Sequence, residues 1–258
     1  MLANQLIEKN ITMQFLTKET VMHSGDVDDW HQHPWHQIIF PVSGLLQSNI
    51  GEKHFIVPHN GLLFIPAGQR HKSIAITQTH FLAIYLNPHS ATQYLIEDKS
   101  GLVTPFFKAL ILQLFEAETA LLTEEMIRHL LVVLRDQLML SKCFAIPLLI
   151  PKDRRLQGVF LLLKNQPDVN LTLTQCALKV GASTRTLSRL CSNEFQLSFS
   201  LWRQHIRLVL SLQLLTDNKS IQNIALDLGY QSSSAYIYAF KGVFMQTPSQ
   251  YRKNNRQV

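Results

Sequence analysis

An α+β chain in two parts is what this sequence predicts: a β-barrel with flanking helices, then an all-α domain built from two copies of one helical device. Three observations predict it. A residue pattern recurs between 172 and 251, short apolar runs fill the stretch from about 36 to 86, and charge is distributed unevenly along the chain.

The recurring pattern reads LTLTQCALKVGASTRTLSRL (171–190) and SIQNIALDLGYQSSSAYIYAFK (220–241). In each copy a small residue (Ala177, Ala225) stands four before a Gly (Gly181, Gly229), and Ser follows (Ser183; Ser232, Ser233, Ser234). Two helices crossing steeply over a short turn need a small side chain where their backbones approach. They need Gly where the turn passes through positive φ, and Ser to satisfy the free amides opening the next helix. Thr172 with Gln175 is a capping-box pattern that starts the first copy. This is the grammar of a helix-turn-helix unit, and its occurrence twice, about 48 residues apart, predicts a chain that reads double-stranded DNA.

The second helix of each unit is the one expected in the major groove. In the first (about 184–195), Leu187, Leu190 and Phe195 are spaced for the core, leaving Thr184, Arg185, Ser188 and Arg189, after Ser183, for DNA. Arg185 and Arg189 suit guanine O6/N7 or phosphate. In the second (about 233–243), Tyr236 and Phe240 are core-spaced, while Ser233, Ser234, Ile237, Tyr238 and Lys241 can face the groove. Ile237 suits a thymine methyl and the Tyr238 hydroxyl a phosphate. A helix over 199–216, capped by Ser198, would space the two units.

Charge follows the same division. Residues 1–150 hold 10 Lys and Arg against 13 Asp and Glu, whereas residues 151–258 hold 14 against 5. The basic surplus sits with the paired motifs, as an electrostatic footprint for phosphates should. Histidine is skewed the other way, nine of eleven lying before residue 90.

The runs HQIIFPVSG, LLQSNIG, KHFIVPHN, GLLFIPAG, KSIAIT and HFLAIYLN are β-prone and separated by turn residues. Six or more strands at this spacing predict a sandwich or small barrel. Between 101 and 144 the rhythm becomes helical. Phe106, Leu110, Ile111, Leu114 and Phe115 form one stripe, and Ile127, Leu130, Leu131, Leu134 and Leu138 another, with Thr123-Glu124-Glu125 opening the second helix. Residues 145–155, with Pro147 and Pro151, read as a linker before a helix around Leu156–Lys164. Cys143, Cys176 and Cys191 show no C-x-x-C spacing and read as small buried hydrophobes. The N-terminus lacks a signal pattern and no uncharged stretch approaches membrane-spanning length, so a soluble, cytoplasmic chain without membrane contact is expected.

Residues 31–37 (HQHPWHQ), with Gly44 seven beyond Gln37, resemble the first cupin motif, and Pro66 to His71 (PAGQRH) the second. The resemblance implies a cupin-like barrel and, position by position, metal ligands His31, His33, Gln37 and His71. Gln37 stands where that family usually has Glu, a weaker ligand, though three His could still hold a divalent ion such as Zn, Ni or Fe. The alternative is a His-lined cavity that takes an organic effector or nothing. His36, His54 and His59 match no ligand position and read as rim or loop residues.

With these signatures first and two helix-turn-helix units last, the chain resembles transcription regulators of the AraC/XylS family. The segment Ile224 to Lys241, then Phe244 and Thr247 to Arg252, carries that resemblance most closely. Ser183, Arg185, Leu187, Arg189 and Leu190 fit the first recognition helix, and Arg207-Leu208 with Leu214-Leu215 the long connecting one. Tyr238 stands where the family usually has Arg, Ile237 where it is small or polar, and Met245 where Gly is common before the Thr-Pro turn. The resemblance implies a sensor barrel over 1–100, a helical dimerisation and linker region over 101–150, and a DNA-binding domain over 151–258. It further implies a homodimer, a small-molecule or metal effector, RNA polymerase as partner of an activator, and no enzymatic activity. The alternative is a metal-dependent cupin enzyme, dioxygenase or isomerase, fused to a DNA-binding domain.

Overall fold

The computed structural model describes residues 3–59, 61–116, 122–141, 150–168, 171–215 and 219–255. It divides the chain into two compact units, Met1–Ala145 and Ile146–Val258.

The first unit opens with helix α1 (Ala3–Lys9) and continues through β1 (Phe15–Met22), β2 (Val27–His31), β3 (His36–Ser43), β4 (Leu45–Ile50), β5 (Lys53–Pro58), β6 (Gly61–Ile65), β7 (His71–Ala75), β8 (Thr79–Leu86) and β9 (Lys99–Leu102). Helices α2 (Pro105–Glu116) and α3 (Glu124–Leu140) follow. The strands form a five-stranded sheet, β1-β8-β3-β6-β9, and a four-stranded sheet, β2-β7-β4-β5, with every pairing antiparallel.

The apolar runs of β3, β6 and β8 are continuous rather than alternating because the centre of the five-stranded sheet is buried on both faces. One set of alternate residues, including Ile38, Phe40, Leu62, Phe64, Leu82, Ile84 and Leu86, packs under Phe107, Leu110, Ile111 and Leu114 of α2 and Leu131, Leu134 and Leu138 of α3. The intervening set, including Ile39, Leu63, Ile65, Phe81, Ala83 and Tyr85, joins Leu46, Ile50, Val57 and Ala75 of the second sheet in the barrel interior. The helices therefore complete the core of the strand domain. Tyr94 donates its hydroxyl to the Leu131 carbonyl (3.1 Å). Lys99 caps the end of α3 by donating to the carbonyls of Leu138 (2.8 Å) and Ser141 (2.9 Å).

Two expectations for this unit are corrected. Phe107, not Phe106, completes the α2 stripe, and Phe106 is exposed. Residue 106 lies four before Leu110 and residue 107 lies three before it, so helical spacing admits either. Thr104 decides, its hydroxyl accepting from the Phe107 amide (3.1 Å) to set the phase of the first turn. His59 is buried and His36 is half-buried, its ring stacked on Phe64 and its Nδ1 accepting from the Ala67 amide (3.0 Å). His36 thus fixes a turn from within β3, His54 is half-buried within β5, and His59 lies in the turn after β5 as expected, though buried.

The second unit is all helical: α4 (Arg154–Asn165), α5 (Leu173–Lys179), α6 (Thr184–Phe195), α7 (Phe199–Leu214), α8 (Ile221–Asp227), α9 (Ser233–Phe244) and α10 (Pro248–Asn255). The first of these starts two residues before the expected Leu156, because Asp153 caps it by accepting from the Arg155 amide (2.9 Å). Helix α7 packs against α4, α6 and α9 and is buried around most of its circumference, with Trp202, Ile206, Leu208, Val209 and Leu212 inside. A helix buried nearly all round is a core element. The spacer between the two motifs is therefore also their common core. Cys176 and Cys191 are buried thiols, and Cys143 lies outside the described residues. No helix among the described residues is long and apolar enough to cross a membrane.

Candidate nucleic-acid interface and histidine cluster

The two copies close their turns in the same way. After α5 the amide of Ala182 bonds the Ala177 carbonyl (2.9 Å), and after α8 the amide of Tyr230 bonds that of Ala225 (2.9 Å). These are Schellman closures around a left-handed Gly, Gly181 (φ 63°) and Gly229 (φ 70°). The second turn is one residue longer, so the caps are Ser183, accepting from Thr186, and Ser232, accepting from Ala235 (both 3.1 Å). The Thr172–Gln175 capping box is formed.

Each recognition helix ends in a left-handed residue that is not Gly, Gln196 (φ 55°) after α6 and Met245 (φ 56°) after α9. A side chain at such a position costs about 1 kcal/mol relative to Gly. Met245 is exposed. Met245→Gly is accordingly expected to raise stability by about 0.5–1 kcal/mol, measured as a rise in denaturation midpoint without change in slope.

Counted from each helix start, Arg185 matches Ser234, Ser188 matches Ile237, Arg189 matches Tyr238, and Ser192 matches Lys241. On α6, Arg185, Ser188, Arg189 and Ser192 are exposed, while Leu187 and Cys191 are buried and Phe195 stacks on Trp202 (5.4 Å between centroids). On α9, Ser234, Tyr238 and Lys241 are exposed and Ile237 is half-buried, while Tyr236, Phe240 and Phe244 hold the core. Tyr238 is 85 % exposed, an unusual setting for an aromatic ring. Thr184 and Ser233 are half-buried at the helix starts, and the Ser183 oxygen is taken up in capping. Sequence spacing did not single out Ser192, although its match to Lys241 places it on the same face.

Six residues of the basic surplus sort into two groups of three. Arg203 donates to the Leu171 carbonyl (2.5 Å), Arg207 to that of Pro167 (2.9 Å), and Arg252 to those of Leu215 (3.1 Å) and Lys219 (2.6 Å). These three hold chain segments together. Arg185, Arg189 and Lys241 have no hydrogen-bond or ion-pair partner among the described residues.

In the strand domain the four sequence-derived positions converge. Pairing of β2 with β7 sets His31 opposite His71, and a bulge between Asp28 and His31 turns the His31 side chain to the face of Ser73 and His71. Gln37 on β3 lies opposite Tyr85 on β8, both facing the barrel interior. A ring nitrogen from each of His31, His33 and His71 lies within 4.8 Å of the others. The Gln37 Oε1 is 3.1 Å from His33 Nε2, and its amide nitrogen is 3.5 Å from the Tyr85 hydroxyl.

Each of these three rings uses Nδ1 on the carbonyl of a nearby residue: His31 on Asp29 (2.7 Å), His33 on Trp35 (2.7 Å) and His71 on Gln69 (2.8 Å). A carbonyl only accepts, so the proton is on Nδ1 and a neutral ring presents its Nε2 lone pair. Burial holds His71 down at about 4 and lowers His33, the Gln37 contact opposing it in part. Burial pushes the Tyr85 phenol up. Both His33 and His71 are therefore neutral donors at physiological pH. The His71 Nε2 is buried without a partner.

Comparison with known proteins matches residues 18–142 to the AraC-like ligand binding domain and residues 176–254 to a helix-turn-helix domain. The HTH-type transcriptional regulator NimR of Escherichia coli is 29 % identical over 221 residues, 86 % of this chain and 81 % of that protein. An uncharacterized HTH-type transcriptional regulator of Haemophilus influenzae is 29 % identical over 104 residues, 40 % of this chain and 35 % of that protein. Among solved structures, ToxT of Vibrio cholerae aligns over 95 % of this chain and 99 % of its own at 12 % identity, with a TM-score of 0.42. A ligand-binding strand domain followed by two helix-turn-helix units, each part matched in its own half of the sequence, makes this chain a member of the AraC/XylS family of transcription regulators.

Proposed function

We propose that one subunit reads two successive major grooves, α6 entering one and α9 the next, about one helical turn of DNA apart. The observation that carries this is the set of unpartnered basic side chains on matched faces of two like-built units. Arg185 and Arg189 address guanine edges, Ser188 and Thr184 neighbouring polar groups, Ile237 a thymine methyl, and Tyr238, Ser233, Ser234 and Lys241 the backbone beside it. Ser183 acts through the cap that orients α6.

The strand domain is the regulatory half, responding to a small molecule or metal ion in the barrel. Helices α2 and α3 keep Phe106, Met126, Met139 and Leu140 exposed, a surface suited to pairing two copies as a homodimer. The chain works in the cytoplasm as a regulator and not as an enzyme, in keeping with its relatives, which carry the name of transcriptional regulators. RNA polymerase is a further partner where the regulation is activation.

Footprinting of the purified protein on DNA flanking its own gene, at moderate salt, tests the reading. Protection of about 20 bp or a multiple, with two grooves per subunit, is the expected result. Salt-sensitive association without any protected stretch, at every effector and DNA tried, overturns it.

A further inference from the structure

The barrel's regulatory role leaves open what it senses, and the histidine cluster answers with geometry. Resting on the effector-controlled reading above, we propose that the effector is an exchangeable divalent transition-metal ion. It is held by the Nε2 atoms of His31, His33 and His71, with the Gln37 amide oxygen as a weaker fourth donor.

Four observations converge on this. First, all three rings are fixed by Nδ1 bonds to backbone carbonyls, the outer support that metal-binding histidines almost always have. That support leaves an Nε2 lone pair on each ring in its neutral form. Second, His71 Nε2 is buried with no partner, although a buried acceptor left unsatisfied costs about 1–3 kcal/mol. Third, Gln37 Oε1 stands 3.1 Å from His33 Nε2, an acceptor set against the lone pair of the neutral tautomer that carries its proton on Nδ1. Two donor atoms each roughly 2.1 Å from one ion at about a right angle lie about 3 Å apart, so a shared cation turns that repulsion into coordination. Fourth, one ring nitrogen of each of the three histidines lies within 4.8 Å of those of the other two.

The donor set also selects the ion and its affinity. Imidazole favours Zn, Ni, Co, Cu or Fe(II) over Mg or Ca, which take oxygen. Among the described residues the ring cluster includes no carboxylate: Asp28 lines the same cavity as Gln37 and approaches His31 at Nδ1 (3.8 Å), so the four donors themselves are uncharged. Such a set leaves the dication uncompensated and therefore lets it go more readily than a cupin set completed by a carboxylate. A site that releases its ion follows the free metal level, as a sensor must. When bound, the ion would supply a fixed charge that pulls His31, His33, His71 and Gln37 together.

The full-length protein, stripped with chelator, is titrated with Co(II) and followed by its visible ligand-field absorption, with the operator footprint recorded in parallel. The expected result is one saturating equivalent per chain, lost in His71→Ala and His33→Ala, and a footprint that changes on loading. Gln37→Glu, which keeps all three rings, should bind at least about tenfold tighter; it tests the site should the His variants fail to fold. Absent absorption, equal absorption in a folded His71→Ala protein, unchanged affinity in Gln37→Glu, or a footprint indifferent to the ion overturns the proposal. Metal binding with no footprint on any DNA instead counts against the regulator reading, so the two failures are distinct.

Discussion

Arg185→Ala is expected to lower operator affinity by roughly 5- to 150-fold and to erase discrimination at one base pair, because a bidentate Arg–guanine contact is worth about 1–3 kcal/mol. Arg189→Ala should do the same at a neighbouring position. Neither guanidinium makes a hydrogen bond or ion pair among the described residues, so both variants should melt within about 0.5 kcal/mol of the parent. That combination separates these residues from Arg203, Arg207 and Arg252, whose loss frees carbonyls of Leu171, Pro167 and Leu215 and should cost stability before affinity. Competition footprinting against single-base operator variants reads the effect. If Arg185→Ala weakens all sequences alike and lowers the salt slope by about one, its contact is to phosphate. If it still prefers its operator by the parental ratio, α6 is not the reader.

The two turn glycines should separate just as sharply. At Gly181 an added Cβ meets nothing within 4 Å, so Gly181→Ala carries only the left-handed penalty of about 1–2 kcal/mol. At Gly229 the same atom would lie 2.8 Å from the Asp168 carbonyl oxygen and 3.2 Å from its Cα, both backbone, and 3.3 Å from the Arg207 guanidinium. Relief requires shifting the segment that Arg207 ties down through Pro167. Gly229→Ala should therefore cost about 3 kcal/mol or more, the left-handed penalty plus the strain of overpacking. Denaturant unfolding of both variants measures the difference. Equal losses would mean that the approach of Asp168 to the second turn is not rigid.

The helix-turn-helix units were legible because their geometry dictates residue types at fixed offsets: Ala where helices approach, Gly where φ is positive, Ser where amides lack partners. Thr172 with Gln175 and the spans of α6 and α9 follow from that grammar alone. The histidine cluster was legible through motif resemblance, but its organisation was not. A bulge that rotates His31 and the register that sets Gln37 against Tyr85 are long-range consequences of strand pairing, without a local signature. Periodicity likewise left Phe106 and Phe107 equivalent, since the choice depends on a hydroxyl two and three residues upstream. Least visible was the division of the arginines. Arg203 and Arg207 look as available as Arg185 until the carbonyls they meet, more than thirty residues away, are known.

The centre of the five-stranded sheet, buried on both faces, is a partition one residue thick. Gln37 and Tyr85 look into the sensing chamber, while their chain neighbours Ile38, Ile84 and Leu86 form the floor under α2 and α3. Whatever displaces Gln37 inside the chamber moves the attachment of Ile38 outside it, since close-packed interiors pass strain on rather than absorb it. Gln37 and Ile38 are consecutive residues of β3, so the two sides of the partition share one backbone.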